Sequence, residues 1–508
     1  MDVLGALLGG FATVLKFPTI LYLVAGIALG LVVGALPGLT ATMGMIVLLP
    51  LTFDLRAVDA IQLLMGVFVG GITGGSVTAI AINIPGTPAS APTMLEGYPL
   101  TRQGRAGEAI SIMYITSMIG GIAGMMACVS IAPALANFAL RFGPPEIFAL
   151  ALVGVSLVIS LSARSVLKGL AAGTLGMILS MVGVDPMSSY ARFTFGSIDL
   201  EGGFAYAAVI IGLFGMTEVF FALERYAREG EGAFTLQKIA SVAGSILTAI
   251  RSLRYLWPTV IRSSAVGIVI GALPGLGADI AAWVGYDIEK RFAKRPEEFG
   301  RGSLQGMAGC EVANNSEAGG ALIPALTFGV PGDPQTAIII AALMIQGLQP
   351  GPLLFVEHAD LVWATFAGVI LAQLGTLVLG LLSVQVILRV ISQPFYVLYP
   401  PIAVFCVVGT FALQNSYFDV WVMLVAGVGG YFLKKYGYPL VPVVLAFLLT
   451  PMIEAELRRG LILYNGDFSR FFGRPLFDLI VISGVVAFAS AVWMLRRVSG
   501  GIPEGESD

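Results

Sequence analysis

The sequence predicts an all-α, polytopic membrane protein with two homologous halves, in which helices broken at Pro-Gly pairs surround a central site. The composition is the first reason: hydrophobic residues make up 57% of the 508 residues and charged residues only 12%, whereas a soluble domain carries about 25% charged residues. The second reason is a duplicated apolar motif, and the third is the proline and glycine that interrupt each copy. The length exceeds that of one small domain.

The duplication consists of two motifs that return in the same order. GLVVGALPGL (30–39) recurs as GIVIGALPGL (267–276), with eight of ten positions identical. IPGTPASA (84–91) recurs as VPGDPQTA (330–337), with four of eight identical. Two matched pairs at nearly the same spacing indicate an internal repeat.

Each copy places proline and glycine inside a long apolar stretch. Proline removes a backbone donor and clashes with the preceding helical turn, and glycine tolerates non-helical dihedral angles. Within a bilayer, backbone groups freed in this way must line a cavity or lie inside protein. Interrupted segments at corresponding places in two repeats therefore indicate a binding site. The alternative is a set of ordinary kinks that serve helix packing.

The first half begins with an amphipathic segment over 1–17, followed by apolar runs over 19–36 and 40–53 on either side of Pro37-Gly38. Neither run reaches the roughly 20 residues of a full span, so a re-entrant hairpin and one kinked helix both fit. The helix predicted over 59–83 carries Gly66, Gly70 and Gly74 at a spacing that favours close packing. A hydrated loop is predicted over 96–108, and further spans over 109–142, 145–161, 166–184 and 204–223.

Basic residues divide the chain. Their excess over 224–262 predicts a cytoplasmic connection between the halves. Basic flanks on both sides of 263–289 favour two half-helices that enter and leave on one face, whereas the first copy has weakly charged flanks, which favours inverted repeats. Later spans are predicted near 361–390, 395–413, 420–433, 439–449 and 477–495, and Arg496 and Arg497 favour a cytoplasmic C-terminus. The predicted units are 1–224 (first repeat half), 225–262 (basic connection), 263–452 (second repeat half) and 453–508 (last span and tail).

The stretches nearest the breaks carry hydroxyl groups, amides and exposed backbone, but no lysine or arginine. The N–H groups of a broken helix carry a partial positive charge that suits carboxylates. Each threonine alone is more often a donor to its own helix backbone, so their concentration at the breaks is the informative feature. The predicted ligand-binding residues are Pro37, Gly38, Thr40, Thr42, Ser76, Thr78, Asn83, Gly86, Thr87, Ser90, Gly275, Asn314, Asn315 and Gly332.

In the second half, acids replace hydroxyl groups. Aligning the repeats places Asp279 opposite Thr42 and Asp333 opposite Thr87. Buried membrane acids are candidates for a functional site, and Glu311 stands within one helical turn of Asn314 and Asn315. We therefore predict that Asp279, Glu311 and Asp333 couple a small cation or a proton to binding. The alternative is that Glu311 and Glu317 cap helices or lie at a hydrated edge.

Three other features are weaker candidates for a functional site. GLGAD and GYD resemble an intramembrane aspartyl dyad, but Asp279 and Asp287 are eight positions apart, about 12 Å along one helix, and a dyad must share a proton. The single histidine, His358, has no second ligand nearby and is predicted to be solvated. The three cysteines have no metal-ligand spacing and are predicted to be core residues. We predict no catalytic residues and no metal site.

Three long motifs resemble the large membrane subunit of tripartite tricarboxylate transporters, the TctA family. They are GALPGLTATMGMIVLLPLTF, INIPGTPASAPTMLEGYPLTRQGRAGEA and EVANNSEAGGALIPALTFGVPGDPQTAIIIAALMIQGLQPGP. The resemblance runs over nearly the whole chain.

The resemblance implies a multi-pass permease of the bacterial inner membrane that imports di- or tricarboxylates. Its partners would be a small membrane subunit, a periplasmic solute-binding protein, the carboxylate and the lipid bilayer, with no nucleic acid. Import would be driven by a gradient of Na⁺ or H⁺ rather than by ATP, and the sequence has no G-x-x-x-x-G-K-[S/T] loop and needs no other cofactor. An intramembrane hydrolase and a passive anion channel are the alternatives.

Overall fold

The computed structural model describes residues 3–36, 39–161, 166–185, 187–229, 245–391 and 395–499. Within these ranges the chain is helical almost throughout. The strands found there form one antiparallel ribbon, β1 (Gly183–Val184) with β2 (Ala191–Arg192). The prediction of an all-α protein is confirmed.

The first repeat contains six helices with two breaks. They are α1 (Val3–Val14), α2 (Thr19–Ala35), α3 (Ala41–Leu48), α4 (Ala57–Ile82), α5 (Ala91–Arg102) and α6 (Ala106–Ala139), with short 3₁₀ turns at Leu49–Thr52 and Pro88–Ser90. Five helices follow: α7 (Pro144–Leu161), α8 (Val166–Ser180), α9 (Ile198–Glu201), α10 (Tyr206–Ile210) and α11 (Thr217–Glu229). A π-helical turn over Ile211–Met216 joins the last two.

The second repeat follows the same order. Its helices are α12 (Ile246–Gly271), α13 (Gly277–Phe292), α14 (Leu304–Phe328), α15 (Pro334–Ile345), α16 (Leu354–Glu357) and α17 (Ala359–Ile391), with a 3₁₀ turn at Pro296–Glu298. The chain closes with α18 (Phe395–Gln414), α19 (Tyr417–Lys435), α20 (Leu440–Leu463), the 3₁₀ turn Phe468–Phe471 and α21 (Pro475–Ser499).

Six helical segments among the described residues are long and apolar enough to cross a membrane. They are α4, α6, α17, α19, α20 and the segment over 206–228, and α1 with α2, bent by 81°, would make a seventh. The protein is therefore a multi-pass membrane protein.

Glycines set the closest helix contacts. Gly66, Gly70 and Gly74 of α4 lie against the backbone of α2, which confirms the predicted packing stripe. Gly120 and Gly124 of α6 lie in the same way against the backbone of α14. Without a Cβ, two helix backbones can approach closely, and this packing stabilises membrane helices. α4 and α14 become the buried centres of the two halves.

Both halves repeat the same contacts around their breaks. A Cβ on Gly34 would meet the carbonyl oxygen of Gly71. A Cβ on Gly271, the residue aligned with Gly34, would meet the carbonyl oxygen of Glu317, the residue aligned with Gly71. Gly86 lies against Gly34 and Gly75 as Gly332 lies against Gly271 and Ala321. These matched contacts show that the duplication in sequence is a duplication in structure. The inverted orientation of the repeats stays a prediction.

The central helices also end in the same way. α4 ends at Asn83 with φ of 60°, and α14 ends at the aligned Gly329 with φ of 69°. This left-handed region favours glycine and, among other residues, asparagine. Asn83 and Gly329 can adopt this conformation, and each therefore ends its helix just before the Pro-Gly-x-Pro segment.

The prediction of a hydrated loop over 96–108 differs from the structure. The predicted loop over 96–108 is mostly helix, and Glu96 is fully buried. Its carboxylate accepts hydrogen bonds from the Tyr286 hydroxyl (2.8 Å) and from the backbone N–H groups of Gly300, Gly302 and Ser303 (2.6–2.9 Å). The charge pattern suggested water, but donors from the second half replace it. Within the predicted connection 225–262, α12 begins at Ile246.

Candidate functional site

A cavity of about 470 Å³ lies where the two halves meet. That volume lies in the range of small-molecule sites, roughly 300–1,000 Å³. Residues that follow all four breaks line it. They are Thr40, Ala41 and Thr42; Thr87, Pro88 and Ala89; Gly275 to Ile280; and Pro334 with Gln335. Pro37 and Gly38 themselves lie outside the described residues.

The lining residues stand at the starts of helices. Thr40 is the N-cap of α3, and its hydroxyl accepts the N–H of Met43 (3.3 Å). Gly277 begins α13, and Pro334 begins α15. The positive ends of three helices, two from the second half and one from the first, therefore face one cavity, which suits an anion.

The two halves differ in the charges near these helix starts. The first turn of α3 contains no acid. Asp279 lies in the first turn of α13, is exposed and lines the cavity. Asp333 is the N-cap of α15 and accepts the N–H of Thr336 (2.7 Å). In the second half, the protein's own carboxylates occupy the places where an external anion would bind.

One cation reaches the cavity from α19, a helix that follows α12 to α17. Lys434, at the end of α19, lines the wall beside Tyr438 and forms an ion pair with Glu218, which lines it too. Among the lining residues that the structure describes, it is the only lysine or arginine. Phe214, in the π-helical turn, completes this side; such turns are frequent at functional sites. The sequence indicated none of these residues, because they are distant from every break.

Glu311 lies apart from the cavity, in the fully buried centre of α14. Its carboxylate accepts the hydroxyl groups of Ser76 (2.5 Å), Thr93 (2.5 Å) and Ser117 (2.8 Å). These donors come from α4, α5 and α6, so Glu311 joins the centre of the second half to three helices of the first. Sequence reasoning missed Thr93 and Ser117, since neither lies in a duplicated position.

Other predicted ligand-binding residues form hydrogen bonds within the protein. The Asn315 amide donates to the Glu311 carbonyl oxygen (3.0 Å) and accepts the Thr73 hydroxyl (2.9 Å). The Ser90 hydroxyl bridges the N–H and C=O of Thr87. A separate set has backbone roles or lies behind the lining residues: Thr78 donates to Gly75, Gly86 donates to Gly75, Gly332 accepts from Gly275, and Asn83 caps α4. Their contact with a ligand stays a prediction.

Asn314 and Asp333 are fully buried and, together with Glu317, keep polar atoms without a partner. The sequence allows Glu317 to be a helix cap or a residue at a hydrated edge, but it lies inside α14 and is fully buried. The signal was present in the sequence, because Glu317 lies three residues after Asn314 in the same motif.

The residues of the other candidate sites are elsewhere. Asp287 is 55% exposed and pairs with Arg291 rather than with Asp279. His358 is exposed and the three cysteines are buried, as predicted. Among the described residues, no three His, Cys, Asp or Glu side chains form a group that could hold a metal ion.

A duplicated bundle of broken membrane helices around a cavity lined by helix starts is typical of the membrane-transport class of proteins. The model of the tripartite tricarboxylate transporter TctA family matches residues 20–445. The chain belongs to this family, and the resemblance found in the motifs is confirmed.

Two relatives from Agrobacterium vitis match the chain. One, described as an uncharacterized 52.8 kDa protein in the TAR-I ttuC′ 3′ region, is 35% identical over 492 residues, which is 97% of both chains. The other, from the TAR-II ttuC′ 3′ region, is 34% identical over 226 residues, 44% of this chain and 93% of the relative. The first alignment covers 492 residues, so the similarity to this relative extends over nearly the whole chain.

Proposed function

We propose that this chain is the large permease subunit of a tripartite importer of di- or tricarboxylates in a bacterial inner membrane. A periplasmic binding protein would deliver the carboxylate, a small membrane subunit would complete the complex, and a Na⁺ or H⁺ gradient would drive import. The observation that carries this proposal is the cavity at which helix starts from both halves meet. Membership of a transporter family supports transport rather than catalysis.

The first half would bind the substrate carboxylates. The start of α3 is free of acids and presents backbone N–H groups, and Thr42 adds a hydroxyl group at the cavity wall. Neutral donors bind an anion without holding it as tightly as a buried guanidinium would. Reversible binding is what a carrier needs, because the ligand must leave on the other side.

Lys434 would supply the one positive side chain of the cavity. The Lys434 side chain is 44% exposed in its ion pair with Glu218. Because an exposed ion pair contributes little free energy, another carboxylate can replace Glu218 at a small cost in free energy. A substrate carboxylate that replaces Glu218 would keep the ammonium group paired. This would favour ligands with more than one carboxylate, since one binds at α3 and another at Lys434.

The second half would provide the cation coupling. A polyanion in the cavity and the Asp279 carboxylate at its wall repel each other. A bound cation reduces this repulsion and raises substrate affinity, and by linkage the substrate raises cation affinity by the same factor. The negative second half and the neutral first half then divide the work.

Binding by the purified protein in lipid nanodiscs tests this function. We expect saturable binding of at least one di- or tricarboxylate from a panel that includes citrate, succinate and malate, with little binding of acetate. Affinity should rise when Na⁺ or H⁺ is raised with the other held constant. In proteoliposomes with the partner proteins, uptake should need the cation gradient.

Two results would contradict the proposal. Unsaturable anion flux that no partner protein changes would indicate a channel. Peptide hydrolysis lost on Asp279→Asn substitution would indicate an intramembrane protease.

A further inference from the structure

Three fully buried side chains of the second half have polar atoms without a hydrogen-bond partner. The unpaired atoms are the amide oxygen and nitrogen of Asn314, both carboxylate oxygens of Glu317 and Oδ2 of Asp333. Buried polar groups are nearly always paired, and an unpaired carboxylate costs far more than an unpaired amide. Such a group therefore calls for a ligand.

Asn314 and Glu317 lie on the same face of α14, and Asp333 is the N-cap of α15. Asn314, Glu317 and Ala321 follow the i, i+3, i+7 spacing of one helix face. Ala321 packs against Gly332, the residue before Asp333. The Glu317 carboxylate is near enough to interact electrostatically with those of Asp333 and Asp279. The unpaired atoms of Glu317 and Asp333 therefore lie where α14 meets the second Pro-Gly-x-Pro break, and Asn314 stands one helical turn before Glu317 on the same face of α14.

The first half has the same packing without these groups. Gly271 contacts the carbonyl oxygen of Glu317 as Gly34 contacts that of Gly71, so Gly71 stands in the place of Glu317. By the same alignment Phe68 stands in the place of Asn314, and Thr87 in that of Asp333. The repeat therefore folds without the polar groups, and their presence in the second half needs another reason.

Glu311 does not share this property. Three hydroxyl groups satisfy its two oxygens, which leaves it poorly placed to coordinate an ion. Of the two glutamates in the motif, only Glu317 has both oxygens available. The cation-coupling residues predicted from the sequence include Glu311 but not Glu317, whereas the structure favours Glu317 as the cation ligand.

We propose that Asn314, Glu317 and Asp333 bind one small, hard cation of the sodium type between α14 and the start of α15. Carboxylate and amide oxygens are the ligands that hard cations prefer, and the ion would offset the charge of two buried acids. The proposed site has two carboxylates and one amide as ligands. It therefore differs from the groups of three His, Cys, Asp or Glu side chains that are absent from the described residues. The role of this ion in coupling rests on the proposed function, because Asp333 adjoins the lining residues Pro334 and Gln335.

Sodium binding without substrate tests the site. The full chain in nanodiscs is titrated with ²²Na⁺ at constant ionic strength with choline chloride, and thermal unfolding is followed in parallel. The wild type should bind sodium saturably and unfold at higher temperature as sodium rises. Glu317→Gln and Asn314→Leu should each weaken sodium binding by about tenfold or more, since each removes a ligand.

Asp419→Asn is the matched control, because Asp419 is another buried acid with an unpartnered oxygen, on α19. It should bind sodium like the wild type. In choline chloride Glu317→Gln should unfold at the wild-type temperature or above, because it removes a buried charge. This measurement verifies that the variant folds. If Glu317→Gln does not fold, Asp333→Asn replaces it in the sodium titration.

The inference is overturned if the wild type binds no sodium, or if Glu317→Gln, or Asp333→Asn in its place, binds it as the wild type does. Failure of the proposed function looks different: no carboxylate would then bind at any sodium concentration, while sodium binding could remain.

Discussion

Gly34→Ala and Gly271→Ala should each abolish carboxylate binding and strongly destabilise the protein. A Cβ at either position would lie well inside 3.0 Å of a backbone carbonyl oxygen, that of Gly71 or of Glu317. Because the neighbour is backbone, no side-chain rotation relieves the clash, and the helices must separate. We expect a loss in the upper part of the roughly 1–3 kcal/mol typical of overpacking. Thermal unfolding and ligand binding in nanodiscs measure it.

Gly429→Ala is the control for this pair. Gly429 lies inside α19, and a Cβ there would meet nothing within 4 Å. This variant should unfold at the wild-type temperature or slightly above, because alanine favours helix over glycine. If Gly34→Ala and Gly271→Ala behave like Gly429→Ala, the close packing that holds the breaks is not required.

Lys434→Met should lower carboxylate affinity by about tenfold. A hydrogen bond to a charged group contributes about 1.5–3 kcal/mol, and the partial exposure of Lys434 places the effect near the lower limit, where 1.4 kcal/mol equals a factor of ten. Glu218→Gln should change affinity in the other direction, because it frees the ammonium group. Equilibrium titration with a carboxylate identified from the panel measures both.

The neighbouring lysine provides the comparison. Lys435 pairs with Glu224 (3.0 Å), and neither lines the cavity. Lys435→Met changes the net charge by the same amount on the same helix, so it should leave affinity within about twofold, as screened surface charges do. Equal losses in Lys434→Met and Lys435→Met would show that the effect is one of overall charge.

The duplicated breaks made the fold largely predictable. Proline and glycine within apolar runs can be read locally, and so can the packing stripe at Gly66, Gly70 and Gly74. The same is true of the meeting of the breaks, since freed backbone groups in a membrane protein need a common enclosure. The breaks and the packing stripe depend on residues close together in the sequence, and the duplication indicates which breaks correspond.

The side-chain partners could not be predicted in this way. Whether a buried acid is satisfied depends on donors from distant helices. Ser117 reaches Glu311 across 194 positions, and the backbone at Gly300 reaches Glu96 across 204. Glu311 and Glu317 therefore look equivalent in the motif, although only one is paired. Lys434 could not be predicted either, because a lysine pair after an apolar run is typical of a membrane boundary and its contact with the cavity depends on distant helices.

Ligand protection of introduced cysteines tests most directly that both halves enclose one substrate. The native Cys128, Cys310 and Cys406 are buried, so a single exposed cysteine can be labelled by an anionic methanethiosulfonate. Thr40→Cys samples the first half of the cavity wall and Gln335→Cys the second. Ile198→Cys, at an 83% exposed position on α9, is the control.

We predict that a bound carboxylate slows labelling of both Thr40→Cys and Gln335→Cys, with the same concentration dependence, and leaves Ile198→Cys unchanged. Protection of one cavity position without the other, or of neither, would contradict a single site shared by the two repeats.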